Sequence, residues 1–378
     1  MKAKNVFLAL AGLAVAAALV VFILPKKEAD IVKIGVFLPM TGGVASYGQM
    51  GWAGIKTANK LEPTVLGKKV ELILVDEKSD KIEAANAVSR LIKKEKVVAL
   101  IGTSTSGNTM AGAAIAEEAK VPVVSPTATD PRVTQNRKYI FRVCFIDPFQ
   151  GVVAAKYAYE NLKARKAALL VDQAQDYCVD LANFFKQEFI SLGGVITAST
   201  FCQSGDQDFT AQLSSIAAAK PDILYMPNYY TEDALVCKQV AELGLKIPIL
   251  SADGAHAPEL ISIGGNAVEG FTFTGHFAKD GATTELAKKY IQAYETTYKT
   301  EASGFDALGA DAYFVLIDAI RRAKSLEGPK IRDALANTKD FPGVSGVMSI
   351  GEDGNARKGI VLLQVKNGKF TYLTTINP

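Results

Sequence analysis

The sequence contains few of the residues on which catalytic and metal sites are usually built. Its 378 residues include two histidines, one tryptophan and four cysteines, and no two cysteines have C-x-x-C spacing. Catalysis by histidine therefore has few routes, and zinc or thioredoxin-like chemistry is disfavoured. The G-x-S-x-G turn that presents a nucleophilic serine in many hydrolases is also missing. Little in the sequence points to an enzyme, and no cofactor or metal is expected.

Phosphate-containing ligands have little support either. Gly43 and Gly48 have the glycine spacing of a phosphate-binding loop, but Gln49 stands where a lysine would balance the phosphate charge. The chain has 42 basic and 39 acidic residues, and four of the lysines flank an apolar segment at the N terminus. Without those four, 38 basic residues face 39 acidic ones. A nearly neutral body gives no electrostatic reason to expect nucleic acid as a partner.

The composition predicts a globular body behind an export signal. Apolar residues make up 49% and charged residues 21% of the chain, and its length suggests about two domains. The apolar run Val6–Leu24 follows a short basic start, which is the layout of an export signal, and is also about long enough to span a bilayer. Residues 1–30 are therefore predicted to be a signal peptide or an N-terminal membrane anchor. The remaining chain is expected to be periplasmic or otherwise extracytoplasmic.

One stretch, Ile101–Pro131, suggests a binding site. Two apolar runs, Val97–Ile101 and Val121–Val124, flank a helix-like segment from about residue 109 to 120, which predicts a βαβ unit. A tract rich in hydroxyl residues follows each run: Thr103, Ser104, Thr105 and Ser106 after the first, and Ser125 to Asp130 after the second. Both tracts should emerge at the carboxyl edge of the sheet, where hydroxyls and a helix N-terminus suit a small carboxylate. For either tract alone, turn formation and helix capping are the better explanation, and only the two tracts together make a binding site equally plausible.

The alternation of strands and helices continues through both halves and restarts at Asp147–Pro148. It predicts an α/β protein with two doubly wound, Rossmann-like lobes. Further helices are predicted over residues 82–95, 149–162, 179–192 and 233–243. Near the C terminus, Val361–Val365 and Phe370–Thr375 flank Asn367–Gly368, which favours a hairpin with a type I′ turn.

Aromatic and acidic residues near predicted strand ends are the other candidates. Loops are predicted to hold Tyr47, Tyr177, Tyr229 and Tyr230, and Asp253 follows the predicted strand at residues 247–250. Surface cover and turn formation are the ordinary explanations for such residues. Around a cleft, the rings would instead wall an apolar side chain, and Asp253 would meet an ammonium group.

The chain resembles the periplasmic substrate-binding proteins of branched-chain amino-acid ABC transporters, the Leu/Ile/Val-binding family. The segments that carry the resemblance are IGVFLPMTGGVASYG, VDEKSD, IGTSTS, VVSPTATDP, YIFRVCFID, GDQDFTAQL, PNYYTEDA and ADG. The resemblance implies the type I periplasmic-binding-protein fold, in which three chain segments form a hinge between two lobes. Lobe one would contain residues 31–146 and 277–350, and lobe two residues 147–276 and 351–378.

The resemblance also implies roles for individual residues. Ser106 would give its hydroxyl and N–H to the α-carboxylate, with Thr105 beside it in the site. Ala128 and Thr129 would supply backbone groups and a hydroxyl to carboxylate and ammonium. Asp253 stands where the family usually has a glutamate for the ammonium group. Tyrosines would complete the pocket: Tyr47 and Tyr177 around the side chain, and Tyr229 over the ligand.

The resemblance implies a monomeric, non-enzymatic receptor that closes over an amino acid, with an aliphatic side chain expected, and delivers it to an ABC permease. Other cargoes on the same scaffold are an amide, urea or an aromatic acid, and an anchored ligand-sensing receptor is a further alternative. Cys178 stands where family members usually have glycine. Cys178 and Cys202 both follow strands on the cleft side of lobe two, and a disulfide between them is predicted.

Overall fold

The structure, a computed structural model, describes residues 31–378 and contains two large β-sheets that are each covered by helices. The predicted signal peptide or anchor at residues 1–30 lies outside the described residues. Between residues 31 and 378, no helix combines the length and apolarity that crossing a membrane requires. The predicted α/β fold with two wound sheets is confirmed.

The first sheet has the strand order β2-β3-β1-β4-β5-β6. Its strands are Ile31–Leu38 (β1), Thr64–Val65 (β2), Lys68–Asp76 (β3), Ala99–Gly102 (β4), Val123–Ser125 (β5) and Ile140–Arg142 (β6). All neighbours are parallel except β2 and β3. Because β4 and β5 are parallel neighbours, the two hydroxyl tracts that follow them lie at one edge of the sheet.

The second sheet has the order β16-β15-β11-β10-β9-β7-β8. Its strands are Lys166–Asp172 (β7), Val195–Cys202 (β8), Ile223–Tyr225 (β9), Ile249–Ser251 (β10), Thr272–Gly275 (β11), Ile360–Lys366 (β15) and Lys369–Ile376 (β16). Strands β7 to β11 are parallel, and the C-terminal hairpin adds two antiparallel strands beside β11. Asn367 and Gly368 have φ values of 51° and 66°, which confirms the predicted type I′ turn.

Helices cover both sheets. In the described part of the chain the α-helices are Ala45–Leu61 (α1), Lys81–Arg90 (α2), Ser106–Ala119 (α3), Asp147–Lys156 (α4), Asp176–Ser191 (α5), Thr210–Ala219 (α6), Tyr230–Glu242 (α7), Pro258–Gly264 (α8), Glu285–Tyr298 (α9), Gly304–Ala323 (α10) and Gly328–Ala336 (α11). Strand β1 shows why helices occupy both faces of the first sheet. Its alternating residues Val32, Ile34 and Val36 join the core that includes residues of α10, whereas Phe37 joins a second core with Val88 of α2.

Three site-bearing helices begin three residues earlier than predicted. The predicted starts at residues 109, 179 and 233 correspond to Ser106, Asp176 and Tyr230 in the structure. In each case the first turn contains polar or aromatic residues that do not follow the apolar period, so periodicity detected only the later turns. The predicted helices over 82–95 and 149–162 end in short π-helical segments at Leu91–Glu95 and Tyr157–Asn161.

The chain passes between the two sheets three times: after β6, after β11, and before β15. Between the second and third passages the chain forms α9, α10 and α11 and a small antiparallel sheet that was not predicted from the sequence. That sheet consists of Thr338–Gly343 (β12), Gly346–Ile350 (β13) and Ala356–Arg357 (β14). The division into lobes at residues 146, 276 and 350 stays a prediction.

The predicted disulfide between Cys178 and Cys202 is wrong for this structure. All four cysteines, Cys144, Cys178, Cys202 and Cys237, are free and buried. Cys178 lies in the first turn of α5 and Cys202 ends β8, and both pack into the apolar core of the second sheet. The prediction relied on both residues following strands at one edge, which does not bring two thiols into bonding geometry.

Candidate functional site

The carboxyl ends of the parallel strands of the two sheets meet around a small cavity with about 10 Å³ of free space. The cavity is lined by Tyr47, Ser104, Thr105, Ser106, Thr127, Thr129, Tyr177, Tyr229, Asp253, Gly254 and Phe305. Seven of the eight predicted site residues are therefore brought together, although they span more than two hundred residues of sequence. The exception is Ala128, which is buried but does not line the cavity.

Ala128 has both backbone groups engaged within the protein. Its carbonyl accepts a hydrogen bond of 2.6 Å from the buried guanidinium of Arg142, and its N–H lies 3.3 Å from the Ser125 hydroxyl. Arg142 is fully buried, and it also donates to the Asp130 carbonyl. Arg142 therefore fixes the backbone of the second hydroxyl tract. The predicted ligand role of the Ala128 backbone stays a prediction.

The first sheet contributes hydroxyl groups and a helix N-terminus to the cavity. Ser106 is the first residue of α3, and Thr105 precedes it. The first N–H groups of a helix lack partners within it and carry partial positive charge, which favours an anion such as a carboxylate. The Ser106 hydroxyl lies 3.2 Å from the N–H of Asp130, so the two tracts are tied together. The Thr129 hydroxyl is buried and makes no hydrogen bond of normal geometry within residues 31–378, although it is close enough to the Asp147 carboxyl to act on its pKa.

The buried side chain of Glu77 supports the first hydroxyl tract through hydrogen bonds. Glu77 follows β3 and accepts hydrogen bonds from the Thr103 hydroxyl at 2.9 Å and the Asn108 amide at 2.6 Å. Burial raises the pKa of Glu77 to about 7, although these hydrogen bonds oppose the rise. Sequence reasoning did not single out Glu77, because its partners lie in a different strand-end loop.

Four aromatic rings form the apolar wall of the cavity. Tyr47 stacks on Phe305 with ring centroids 4.1 Å apart, and Tyr177 stacks on Tyr229 at 5.7 Å. The Tyr47 hydroxyl donates to the carbonyl of Gly254, and the Tyr177 hydroxyl donates to Asp253 at 2.8 Å. Because these two hydroxyls are bonded to protein groups, the ring faces are left to contact an apolar ligand group. Phe305 was not among the predicted site residues, since it lies far along the chain at the start of α10.

The prediction that four tyrosines lie in loops is right for Tyr229 and wrong for Tyr47, Tyr177 and Tyr230. Tyr47 lies in the first turn of α1 and Tyr177 is the second residue of α5. Tyr229 immediately precedes α7, and Tyr230 begins it. Helix geometry therefore fixes these side chains at the cleft, which is a more rigid arrangement than a loop provides.

Asp253 is the carboxylate that the second sheet contributes. It lies just beyond β10 in a short 3₁₀ turn and is 3% exposed. Its Oδ1 accepts hydrogen bonds from Gln150 Nε2 at 2.7 Å and from the Tyr177 hydroxyl at 2.8 Å, and its Oδ2 lies 2.9 Å from His276 Nε2. Burial acts to raise the pKa of Asp253, but its interaction with His276 and its hydrogen bonds from Gln150 and Tyr177 lower it below its usual value. Asp253 is therefore ionised at neutral pH.

Gln150 and His276 were missed by sequence reasoning. Gln150 lies one turn into α4, and His276 comes directly after β11. The position of His276 at the same strand edge as Asp253 was a usable signal. Nothing local marked Gln150, since a glutamine in the first turn of a helix is ordinary.

Polar contacts across the cleft hold the two sides together around the cavity. Lys81 of α2 lies 2.7 Å from Asp176 of α5, and Arg132 lies 2.7 Å from Asp180 on the same helix. The Ser46 hydroxyl donates to Glu259 at 2.6 Å. These contacts join helices of the first sheet to helices of the second. The structure therefore represents a closed arrangement of the two sides.

Metal binding has no support in the described residues. Between residues 31 and 378, no group of three or more histidine, cysteine, aspartate or glutamate side chains has an arrangement that holds a metal ion.

Comparisons with known proteins agree with this architecture. The periplasmic binding protein family matches residues 31–369. The Leu/Ile/Val-binding protein BraC3 of Rhizobium johnstonii is 31% identical over 337 residues, which cover 88% of this chain and 90% of that protein.

Two crystal structures are similar over nearly the whole described chain. The leucine binding protein LivK from Thermotoga maritima is 50% identical with a TM-score of 0.90, and the match covers 92% of this chain and 99% of that one. The substrate binding protein LivJ from Streptococcus pneumoniae, solved in complex with isoleucine, is 32% identical with a TM-score of 0.87 and coverages of 92% and 100%. The predicted family is thereby confirmed: this chain belongs to the periplasmic binding proteins, in the Leu/Ile/Val-binding group with the type I fold.

Proposed function

We propose that this protein captures a zwitterionic amino acid with an aliphatic side chain in the closed cavity and delivers it to an ABC permease. One observation carries the proposal. One cavity between the two sheets is lined by hydroxyls and a helix N-terminus from one sheet, by one ionised carboxylate from the other, and by aromatic rings. Relatives named for leucine, isoleucine and valine binding support the same ligand class.

The two ends of the ligand need different partners. An ion moved out of water is costly to bury unless it is paired and hydrogen-bonded. Ser106 and the N-terminus of α3 suit the α-carboxylate, with Thr105 beside them, and the hydroxyl of Thr129 can bond either charged group. Asp253 suits the ammonium group, because its carboxylate oxygens have room for a further donor beside the three bonds they accept.

The aromatic walls of the cavity favour an aliphatic side chain. The cavity's free space of about 10 Å³ holds no more than about one water molecule, so an amino acid enters only when the two sides move apart. Tyr47, Tyr177, Tyr229 and Phe305 present ring surface to that space. Asp253 disfavours an aromatic acid, because an anion without an ammonium group would leave this buried carboxylate without a counter-charge.

Closure and release follow from the two-lobe arrangement. Lobe one, residues 31–146 and 277–350, and lobe two, residues 147–276 and 351–378, rotate about the three chain passages between the sheets. The ligand shifts the open–closed population toward the closed form, and that form presents a joint surface to the permease. The protein acts outside the cytoplasm as a monomeric receptor without catalytic activity. Residues 1–30 direct its export, as a cleaved signal or a retained anchor.

A thermal-shift screen with the twenty amino acids, benzoate and urea tests the proposal. A ligand present at 100 times its dissociation constant stabilises the folded state by about 2.7 kcal/mol. Leucine, isoleucine or valine is expected to raise the melting temperature, whereas benzoate and urea are expected to leave it unchanged. Stabilisation by benzoate or urea without any by an amino acid would contradict the proposal.

A further inference from the structure

The hydrogen bond between His276 and Asp253 affects the carboxylate that faces the cavity, as well as the packing around it. We propose that His276 is a positioning residue for ligand binding: a neutral imidazole, fixed where the chain leaves the second sheet, that holds Asp253 oriented and negatively charged toward the ammonium group. The inference rests on the proposed amino-acid function. It adds a buried histidine that does not line the cavity to the set of residues that determine affinity.

The geometry identifies the tautomer of His276. Nε2 lies 2.9 Å from Oδ2 of Asp253, and an ionised carboxylate only accepts hydrogen bonds, so Nε2 carries the proton. Nδ1 is buried and has no partner among the described residues. A second proton on Nδ1 would create an N–H with no acceptor, which is an unfavourable state in a buried site. The imidazole is therefore neutral.

The surrounding charged groups agree with a neutral imidazole. Burial lowers the pKa of His276, and the ammonium group of Lys358 lowers it further, against the opposing effect of Asp253. His256, the other buried imidazole nearby, is neutral as well, since burial lowers its pKa to about 3. Burial and the charge of Asp253 raise the pKa of Asp147 well above its usual value. Asp253 thus carries the negative charge of this cluster at neutral pH.

This charge state decides whether Asp253 can bind an ammonium group. A protonated His276 would form a neutral pair with Asp253, and a ligand ammonium would then have to displace a proton. A neutral His276 donates one hydrogen bond and leaves the full charge of Asp253 available. The imidazole thus acts through the carboxylate and does not need to touch the ligand.

His276 is held rigidly between two of the passages that connect the sheets. It is the first residue after β11, and its ring stacks on Phe145, which lies in the passage after β6, with centroids 4.0 Å apart. Gln150 completes the support, because its Nε2 also lies 2.8 Å from the hydroxyl of Thr274 on β11. The orientation of Asp253 is therefore fixed by the segments about which the two sides must move.

The test compares His276→Gln, which keeps a side-chain donor and cannot become charged, with His276→Leu, which removes the donor at similar volume. Leucine binding is measured by calorimetry from pH 5.5 to 8, in phosphate and in Tris, because the difference in binding heat between buffers counts protons exchanged. His256→Gln is the matched control, since the His256 side chain is also buried and, among the described residues, makes no hydrogen bond to the Asp253 carboxylate.

The unmodified protein and His276→Gln are expected to bind leucine at pH 7 with similar affinity and without proton exchange. His276→Leu is expected to lose about tenfold or more in affinity, the value of one hydrogen bond to a charged group. It should also release a proton on binding and regain affinity as the pH rises, because Asp253 loses the group that lowers its pKa. His256→Gln should match the unmodified protein.

Two results would overturn the inference: equal affinity and proton count in His276→Leu and the unmodified protein, or a tenfold loss in folded His276→Gln. If His276→Leu does not fold, as judged by circular dichroism, the His276→Gln result alone decides. A failure of the proposed function is recognised separately, because the unmodified protein would then bind no amino acid at any pH.

Discussion

The two sides of the cavity hold charge in different ways. The first sheet offers neutral donors, namely hydroxyls and the N-terminus of α3, which are arranged by a short continuous stretch of chain. The second sheet offers one ionised carboxylate, Asp253, held by Gln150, Tyr177 and His276 from three separate elements. Neutral donors can be buried empty at modest cost, whereas a buried carboxylate needs a network to remain charged. The side that carries charge is therefore the side that depends on distant parts of the chain.

The largest effect is expected at the charged side. Asp253→Asn keeps the shape of the side chain but removes the charge, and leaving the ligand ammonium buried without a counter-ion should weaken leucine binding by about 3 kcal/mol or more. Calorimetry at pH 7 measures the loss. Asp208→Asn is the matched control, because Asp208 is an exposed carboxylate that caps a helix outside the cavity, and it should leave the affinity unchanged.

An effect of similar size, on the free energy of unfolding, is expected from Glu77, which supports the hydroxyl tract of the first sheet. Since Glu77 titrates at about pH 7 in the folded state and near 4.5 when unfolded, the folded state keeps its proton while the unfolded state ionises. The free energy of unfolding should therefore decrease as pH rises from about 4.5 to 7, by roughly 3 kcal/mol in total from this group. Urea unfolding at several pH values, with Glu77→Gln beside the unmodified protein, measures it. An identical pH slope in the two proteins would contradict the raised pKa.

A smaller effect is expected from one hydroxyl of the neutral side. Ser106→Ala removes one hydrogen bond to the ligand carboxylate, worth roughly 1.5–3 kcal/mol because the acceptor is charged. The loss should be large for leucine and small for leucinamide, which lacks the carboxylate. Calorimetry with both ligands measures the two losses of affinity. Equal losses for the two would show that Ser106 does not contact the carboxylate.

The smallest effect is expected at the rim, where ion pairs join the two sides. Arg132 and Asp180 are partly exposed, so their pair should contribute less than about 1 kcal/mol to closure and should weaken with salt. Asp180→Asn is expected to lower leucine affinity slightly at low ionic strength and not at 0.5 M salt. Affinity measured at both salt concentrations tests this. A loss that persists at high salt would indicate a structural role.

The fold and the neutral side were largely predictable because their signals are local. The hydroxyl tract from Thr103 to Ser106 directly follows a strand, and parallel topology places such ends together. The network around Asp253 was not predictable in the same way. Gln150 reaches Asp253 across 103 residues of sequence, and Phe305 enters the cavity after the chain has passed between the sheets twice. Such contacts depend on tertiary packing and leave no pattern of spacing.

The helix starts show the same limit on a smaller scale. Tyr177 and Tyr230 were assigned to loops because the first turns of α5 and α7 are not amphipathic. Tyr177 lines the cavity from its turn, and Tyr230 packs against Tyr47, which lines it. The resemblance supplied the site role of Tyr177, and the structure supplied the geometry that fixes it.

Leucine and 4-methylpentanoate, measured by calorimetry against the unmodified protein and Asp253→Asn, test the central claim most directly. The acid is leucine without its ammonium group, so the four affinities isolate the coupling between that group and Asp253. The account predicts that Asp253→Asn weakens leucine at least a hundredfold and binds the acid as well as, or better than, the unmodified protein. Equal losses for both ligands would contradict the assignment of the ammonium group to Asp253.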